Sequence, residues 1–244
     1  MTMGPASAGG RASLIADLLL APVRSQDCCT DCPDAPLFPE EEEQVRGAVA
    51  RRRREYATVR WCAREALRAL GQPPAPLPRS AGGAPHWPVG VVGSMTHCDG
   101  YRAAAVARAC DVRALGIDAE PDEPLPEEVL DLVLGGEDRM GVEGLVAQPV
   151  GGARAAGGGP EVSWDRLWFS AKEAVYKAWY PATGHWLDFG DVVVRAVQDR
   201  AGGGTFRATL EPEVVAAVGG RFPAHLDGCW VRRRRLLTAV HVPA

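Results

Sequence analysis

Residues Trp164 to Trp179 read WDRLWFSAKEAVYKAW. Aromatic and aliphatic side chains recur in this stretch at helical spacing, and Pro181 predicts that the helix stops before it. Glu173 and Lys177 are four apart and share a face. On spacing alone they read as an exposed ion pair worth a few tenths of a kcal/mol. Ser170-x-x-Glu173 also matches a capping box at a helix start. Tyr176 and the tryptophans suit a core better than a catalytic site.

Working outward, Val91 to His97 and Tyr101 to Ala107 read as two strands, with Asp99-Gly100 as the turn between them. Leu115 to Ala119 is a third short strand ended by Pro121, and Glu127 to Leu134 reads as a helix. Residues 141–160 contain GGARAAGGGP and read as a flexible insertion. Beyond the central helix, strands are predicted at Val192 to Val194, Phe206 to Leu210 and Trp230 to Val242. Upstream, one helix is predicted from Glu40 to Leu70, opened by acidic residues and closed by Gly71 and Pro73. Residues 72–90 are rich in Pro and Gly and read as an ordered loop. This order of elements predicts an α+β class with a two-lobed division near residue 120, giving halves 1–120 and 121–244.

The 244 residues suffice to bury a sizeable core, and 46% apolar with 24% charged residues is ordinary for a globular chain. A formal net charge of −4 gives no global basic field for nucleic acid. No run approaches the roughly 18 apolar residues of a membrane span. No secretory signal stands at the N-terminus, so a cytoplasmic protein is expected. Cys28, Cys29 and Cys32 resemble half of a zinc site, but no second Cys/His pair follows at ligand spacing, which favours free thiols in a surface loop.

Three features carry possible chemistry. Asp118 and Glu120 lie two apart on a predicted strand, so both side chains point to one face. Adjacent carboxylates repel unless a cation or proton sits between them, and oxygen-only ligands favour a hard ion such as magnesium. They equally suit a solvated strand end. His97 closes an apolar strand, as a structural residue or as a donor to phosphate. Arg51 to Arg54 reads on its own as a solvated helix face.

Taken together, Trp87 to His97 (WPVGVVGSMTH), Gly116 to Glu120 (GIDAE) and Phe169 to Ala178 (FSAKEAVYKA) resemble, in order and spacing, the three signature motifs of the long 4′-phosphopantetheinyl transferases. Arg52-Arg53-Arg54-Glu55-Tyr56 followed by Arg60 is similar to the basic helix of that family's actinobacterial members. The resemblance covers about residues 45 to 195. Val59 departs from it, standing where many relatives have glycine, and the insertion at 141–160 matches nothing in the family.

The resemblance implies two similar α/β halves related by a pseudo-twofold, with coenzyme A and magnesium (Mg2+) in the cleft between them. It implies Asp118, Glu120 and Glu173 as metal-facing acids, Glu173 as general base, and Lys177 as the group that stabilises or protonates the departing 3′,5′-adenosine bisphosphate. It places Arg52, Arg60, Arg79, His97 and Lys172 at positions that hold the phosphates of coenzyme A. The implied acceptor is a serine of an acyl or peptidyl carrier protein of fatty acid, polyketide or nonribosomal peptide synthesis, and a monomer is expected. Two rival readings remain at this stage: another magnesium-dependent phosphodiesterase, and a noncatalytic nucleotide- or RNA-binding module using the arginine helix.

Overall fold

The computed structural model describes residues 13–80, 82–147, 162–199 and 202–244. Its elements are β1 (Arg24–Cys28), α1 (Pro39–Gln44), α2 (Ala50–Ala69), β2 (Val91–Cys98), β3 (Tyr101–Arg108) and β4 (Val112–Glu120). There follow α3 (Glu127–Val133), α4 (Gly136–Ala147), α5 (Trp164–Thr183), β5 (Val192–Gln198), β6 (Gly203–Leu210), α6 (Pro212–Ala217), β7 (His225–Arg232) and β8 (Leu236–Pro243). Two antiparallel sheets result, a three-stranded one in the order β1-β3-β2 and a five-stranded one in the order β4-β8-β7-β6-β5. The class is α+β, as expected.

The small residues of β3 explain how the layers stack. Alternate side chains leave a strand on opposite faces. Ala104 and Val106 pack with Cys62, Ala63, Ala66 and Leu67 of α2. Ala103, Ala105 and Ala107 pack with Leu115, Ile117, Leu237 and Ala239 of the larger sheet. Both faces are thus buried, and alanine lets both layers come close. On the other half, α5 sinks Leu167, Trp168 and Trp179 into the main core against Val194, Phe206 and Trp230.

The seam between the sheets runs between β2 and β4, where side-chain hydroxyls stand in for a backbone ladder. The Ile117 N–H donates to Ser94 Oγ at 3.0 Å, and the Ala119 N–H to Thr96 Oγ1 at 3.1 Å. Helix α5 lies directly on the backbone of β4: a Cβ added at Gly116 would fall 1.8 Å from the Ala174 carbonyl oxygen. Only glycine admits that contact, and it fixes the helix above the Asp118 side of the strand.

Several expectations need correction. The helix foreseen over Glu40 to Leu70 is two helices, because Val49 is extended (φ −61, ψ 153) before α2 begins. That break lets α1 fold back so that Glu41 reaches Arg64. Helix α5 does not stop before Pro181; it runs to Thr183 and ends at Gly184, whose φ is +72. A proline one turn from the end removes a single helical hydrogen bond and leaves almost no helix to disrupt. Residues 141–147 of the supposed insertion continue α4, and residues 148–161 lie outside those described. The run Trp230 to Val242 is two strands joined by a turn at 233–235, and β1 had no counterpart among the predicted elements. Cys28, Cys29 and Cys32 are free thiols, though Cys28 closes β1 rather than sitting in a loop.

The glutamate that seemed only to open a helix is a buried hub. Glu41 is fully buried and accepts hydrogen bonds from Arg64 Nη1 at 3.0 and 3.1 Å, from the Leu77 N–H at 2.8 Å and from the Phe38 N–H at 2.9 Å. Arg60 Nε lies 3.8 Å away. Removing one partner of a buried ion pair leaves the other charge uncompensated, at a cost of about 3–5 kcal/mol. Glu41→Ala is therefore expected to lower unfolding free energy by roughly that amount in a urea titration. A loss below about 1 kcal/mol, the scale of exposed pairs, would show that the hub is dispensable.

Candidate active site

A cleft of about 460 Å³ opens along the seam, walled by α2 and α5 and completed by β2, the end of β4 and the loop around residues 79–85. Its two sides differ in charge. The side built from β4 and α5 carries Asp118, Glu120, Glu173 and Lys177; the side built from α2, β2 and the loop carries Arg52, Arg60, Arg79 and His97. All eight carry the chemistry expected from the sequence, and they are drawn from positions up to 125 apart in the chain.

Asp118 is 3% exposed, and two elements, β2 and α5, supply its partners. Lys177 Nζ donates at 2.5 Å and Thr96 Oγ1 at 3.1 Å to one carboxylate oxygen, while Ser170 Oγ donates at 2.8 Å to the other. Ser170 also receives order from Thr238, whose hydroxyl donates to the Ser170 carbonyl at 3.0 Å. The Ser170-x-x-Glu173 capping box is thereby ruled out: Ser170 lies in the second turn of α5, six residues after its first residue. The exposed Glu173–Lys177 pair is likewise replaced, since the Lys177 ammonium is committed to Asp118. Burial works against that ammonium, but Asp118 and Glu173 outweigh it, and its pKa lies above that of ordinary lysine.

Glu120 receives Arg166 Nη1 at 3.0 Å. Burial, reinforced by the Asp118 charge, nonetheless pushes its carboxyl up to about 7. Glu173 is half-buried, and burial raises its pKa also, with Lys177 opposing and Asp118 adding to the rise. Among the described residues no three His, Cys, Asp or Glu side chains stand close enough to hold an ion as they are placed. Lys177 and Arg166 sit on the carboxylates in that role.

On the basic side, the Tyr56 ring lies between two guanidinium groups, with Arg60 at 3.2 Å and Arg79 at 5.1 Å from its centroid. Tyr56 OH donates to Gln44 Oε1 at 2.7 Å, and the same oxygen accepts the Arg79 N–H at 2.8 Å. Arg60 is 3% exposed, and burial pulls its pKa down to about 10, so it stays charged at neutral pH. Arg52 donates to His97 Nε2. His97 is therefore neutral at that nitrogen, in keeping with a pKa drawn down to about 4 by burial and by Arg52. Arg51, Arg53 and Arg54 lie on the exposed face of α2, paired with Asp99, Glu42 and Asp31.

Lys172 corrects the expectation placed on it. Its ammonium is 1% exposed and is spent on Asp138 Oδ2 at 2.6 Å and on the carbonyls of Val133 and Phe189, each at 2.8 Å. All three donors are used inside the C-terminal half, and it does not line the cleft. The adjacent Glu173 lines the cleft while the Lys172 ammonium is held by Asp138, so the signature run serves both the cleft and the core beneath it. Tyr176 also departs from the core role given to it: it lines the cleft beside Tyr180, whose ring stacks on it at 5.6 Å. No spacing marks Thr96 or Arg166, and spacing marks Ser170 only as a cap, because their site partners are distant in sequence. Glu55 was legible only as one letter within the arginine run.

Comparison with known proteins agrees with this geometry. A family model described as the 4′-phosphopantetheinyl transferase N-terminal domain matches residues 40–107, and one described as the 4′-phosphopantetheinyl transferase superfamily matches residues 114–221. The chain is 48% identical to the 4′-phosphopantetheinyl transferase Svp of Streptomyces mobaraensis, over 95% of this chain and 90% of that protein. It is 40% identical to Npt of Nocardia iowensis, over 89% and 94%, and 43% identical to PptT of Mycobacterium tuberculosis, over 71% of each. Neither the phosphodiesterase nor the nucleotide-binding alternative is favoured by these matches. A cleft with three carboxylates and a lysine facing a bank of arginines, on a chain matched along most of its length by such relatives, belongs to the 4′-phosphopantetheinyl transferase superfamily.

Proposed function

We propose that the cleft holds coenzyme A with its phosphates toward Arg52, Arg60, Arg79 and His97, and passes the phosphopantetheine arm to a serine of a carrier protein. The observation that carries this reading is the two-sided charge of one cleft: cations on one wall for a polyanion, carboxylates on the other for a base and a hard cation. In the transfer, the serine oxygen bonds to the phosphorus that bears pantetheine, and the bond from that phosphorus to the 3′,5′-adenosine bisphosphate oxygen breaks. The holo carrier and 3′,5′-adenosine bisphosphate are the products.

Glu173 suits the base that takes the serine proton. Its raised pKa makes it a better proton acceptor than an exposed glutamate. Lys177, held charged by Asp118, suits the stabilisation of negative charge on the departing phosphate. Arg60, charged and anchored to the Leu77 carbonyl at 3.1 Å, offers a preset donor that loses little freedom on binding.

The donor set also fits magnesium. Asp118, Glu120 and Glu173 offer only oxygen, and burial together with the Asp118 charge disfavours an ionised Glu120 in the absence of a cation. Bound there, magnesium would neutralise charge growing on the phosphates. We place the division of the two lobes where the sheets divide, before Val112, a reading that the pairing of β4 with β8 supports. A monomer acting in the cytoplasm on carrier domains of fatty acid, polyketide or nonribosomal peptide synthases, with no nucleic acid, completes the proposal. A formal charge of −4 supports it, as does the lack, among the described residues, of any helix long and apolar enough to cross a membrane.

Intact-mass spectrometry tests the reaction. With coenzyme A, magnesium and an apo carrier protein, the carrier is expected to gain one phosphopantetheine, and to gain none without magnesium or with Glu173→Ala. No gain on any of several acyl and peptidyl carriers would reject the assignment.

The acid cluster makes a second, activity-free prediction. A carboxyl whose folded pKa is raised from 4.5 to about 7 stabilises the fold at low pH and loses that contribution as pH rises through 7. The shift amounts to at most about 3 kcal/mol. In magnesium-free buffer, Glu120→Gln should therefore melt above wild type at pH 8, with the gap closing towards pH 5. Adding magnesium at pH 8 should raise the wild-type melting temperature and leave Glu120→Gln nearly unmoved. Equal magnesium shifts in both proteins would remove Glu120 from the ion's ligands.

A further inference from the structure

Glu55 is a paradox in a cleft proposed to receive a polyanion. It lines the wall that carries Arg52, Arg60, Arg79 and His97, and its side chain is only 10% exposed. Simple Coulomb repulsion says that a carboxylate there should weaken the binding of phosphates. Its contacts explain why it is nevertheless present.

Four cationic or hydrogen-bonding groups converge on this one carboxylate. Arg51 Nε donates to Oε1 at 3.0 Å, and Arg102 Nη2 to the same oxygen at 3.4 Å. The second oxygen faces Arg52 Nη1 at 3.7 Å and His97 Nε2 at 4.0 Å. Among the described residues, no other carboxylate stands within ion-pair distance of either Arg52 or His97. Arg102 is itself buried and fixed by Asp31 at 2.8 Å and by the Cys98 carbonyl at 3.0 Å. Glu55 is thus anchored from behind by the buried Arg102, with the exposed Arg51 beside it, and presents its other oxygen to the two residues that line the cleft.

The cations on this wall repel one another, Arg52 working against the charge of Arg79, while burial and Arg52 keep His97 neutral. Without a counter-charge, a side chain as exposed as Arg52 (38%) would swing into water. Its position would then have to be recovered each time a ligand bound.

We propose that Glu55 is a positioning residue for coenzyme A, holding Arg52, and through the Arg52–His97 hydrogen bond the neutral His97, in the conformation that meets its phosphates. This rests on the reading of the cleft as the coenzyme A site. Its benefit is preorganisation, and it opposes the direct electrostatic effect, so the two accounts predict opposite signs for one measurement.

The test is isothermal titration of the full chain with coenzyme A, using wild type, Glu55→Gln and Glu55→Asp, with kinetics on an apo carrier protein. Wild-type binding and transfer come first; if wild type fails to bind coenzyme A, the assignment of the cleft fails and not the role of Glu55. Given wild-type binding, Glu55→Gln is expected to raise Kd and the KM for coenzyme A about tenfold, with kcat at saturating coenzyme A within twofold. Glu55→Asp keeps the charge but is one methylene short, and should fall between the two. A merely structural role would lower binding stoichiometry and kcat while leaving Kd in place. Should Glu55→Gln lose its fold, Glu55→Asp decides, since it retains a charged partner for Arg102. An unchanged or tighter Kd in a folded variant would overturn the proposal.

Discussion

A buried carboxylate must be paid for by its neighbours, and Asp118 draws its neighbours from everywhere the fold needs to be joined. Taking an ionised carboxylate out of water costs several kcal/mol unless its lone pairs are filled. Thr96 comes from the smaller sheet, Ser170 and Lys177 from α5, and Asp118 itself from the larger sheet. Satisfying one side chain therefore fixes three elements relative to one another. Gly116 makes this possible two residues earlier on the same strand, by letting α5 lie against the β4 backbone. A bulkier residue there would lift the helix and pull Lys177 and Ser170 from the carboxylate together.

The two halves contribute opposite chemistry to the seam. Helix α2 and the loop around Arg79 bring cations, and β4 with α5 brings acids. Each bank is braced from behind by charge of the other sign. Glu41 lies behind Arg60 and Arg64, Glu55 behind Arg52, and Arg166 beside Glu120. These partners let strongly charged walls persist in a half-buried cleft. They also account for acids in α1 and α2 that a reading of exposed helix faces would leave without purpose.

Much of the fold could be read from local pattern. The strands around Asp99-Gly100 and the helix from Trp164 announced themselves through turn chemistry and periodicity, and the two acids of β4 through their alternation. What stayed hidden depends on contacts between distant residues. Ser170 matched a capping box locally, yet its hydroxyl is used 52 positions away on Asp118. Lys172 sits in the same signature run as Glu173, but adjacent residues on a helix point about 100° apart, and distant partners, not its spacing, decide that its ammonium is buried away from the cleft. Its ammonium is taken by Asp138, whose helix carried no marker of that role. The break between α1 and α2 was illegible because helix-forming residues continue through it, and the buried fit of Glu41 overrides their propensity.

The same pairings bear on how a highly charged substrate can enter at all. Within the protein, Lys177 is matched with Asp118, Arg166 with Glu120, and Arg52 with Glu55. Adding a bare polyanion to such a balanced cleft would leave the acid bank uncompensated, and adding a bare dication would do the same to the arginines. On the reading proposed above, a phosphate chain arriving with a divalent cation would exchange partners instead: the phosphates would meet the cations of α2, and the carboxylates of β4 and α5 would hold the metal. Net charge in the cleft then changes little, although every strong pairing has a new option. The separation of basic and acidic walls across the β2–β4 seam is what makes that exchange spatially orderly, because each component meets its own wall. On this view the seam does more than join two sheets; it places the cations of α2 and the carboxylates of β4 and α5 on different walls of one cleft.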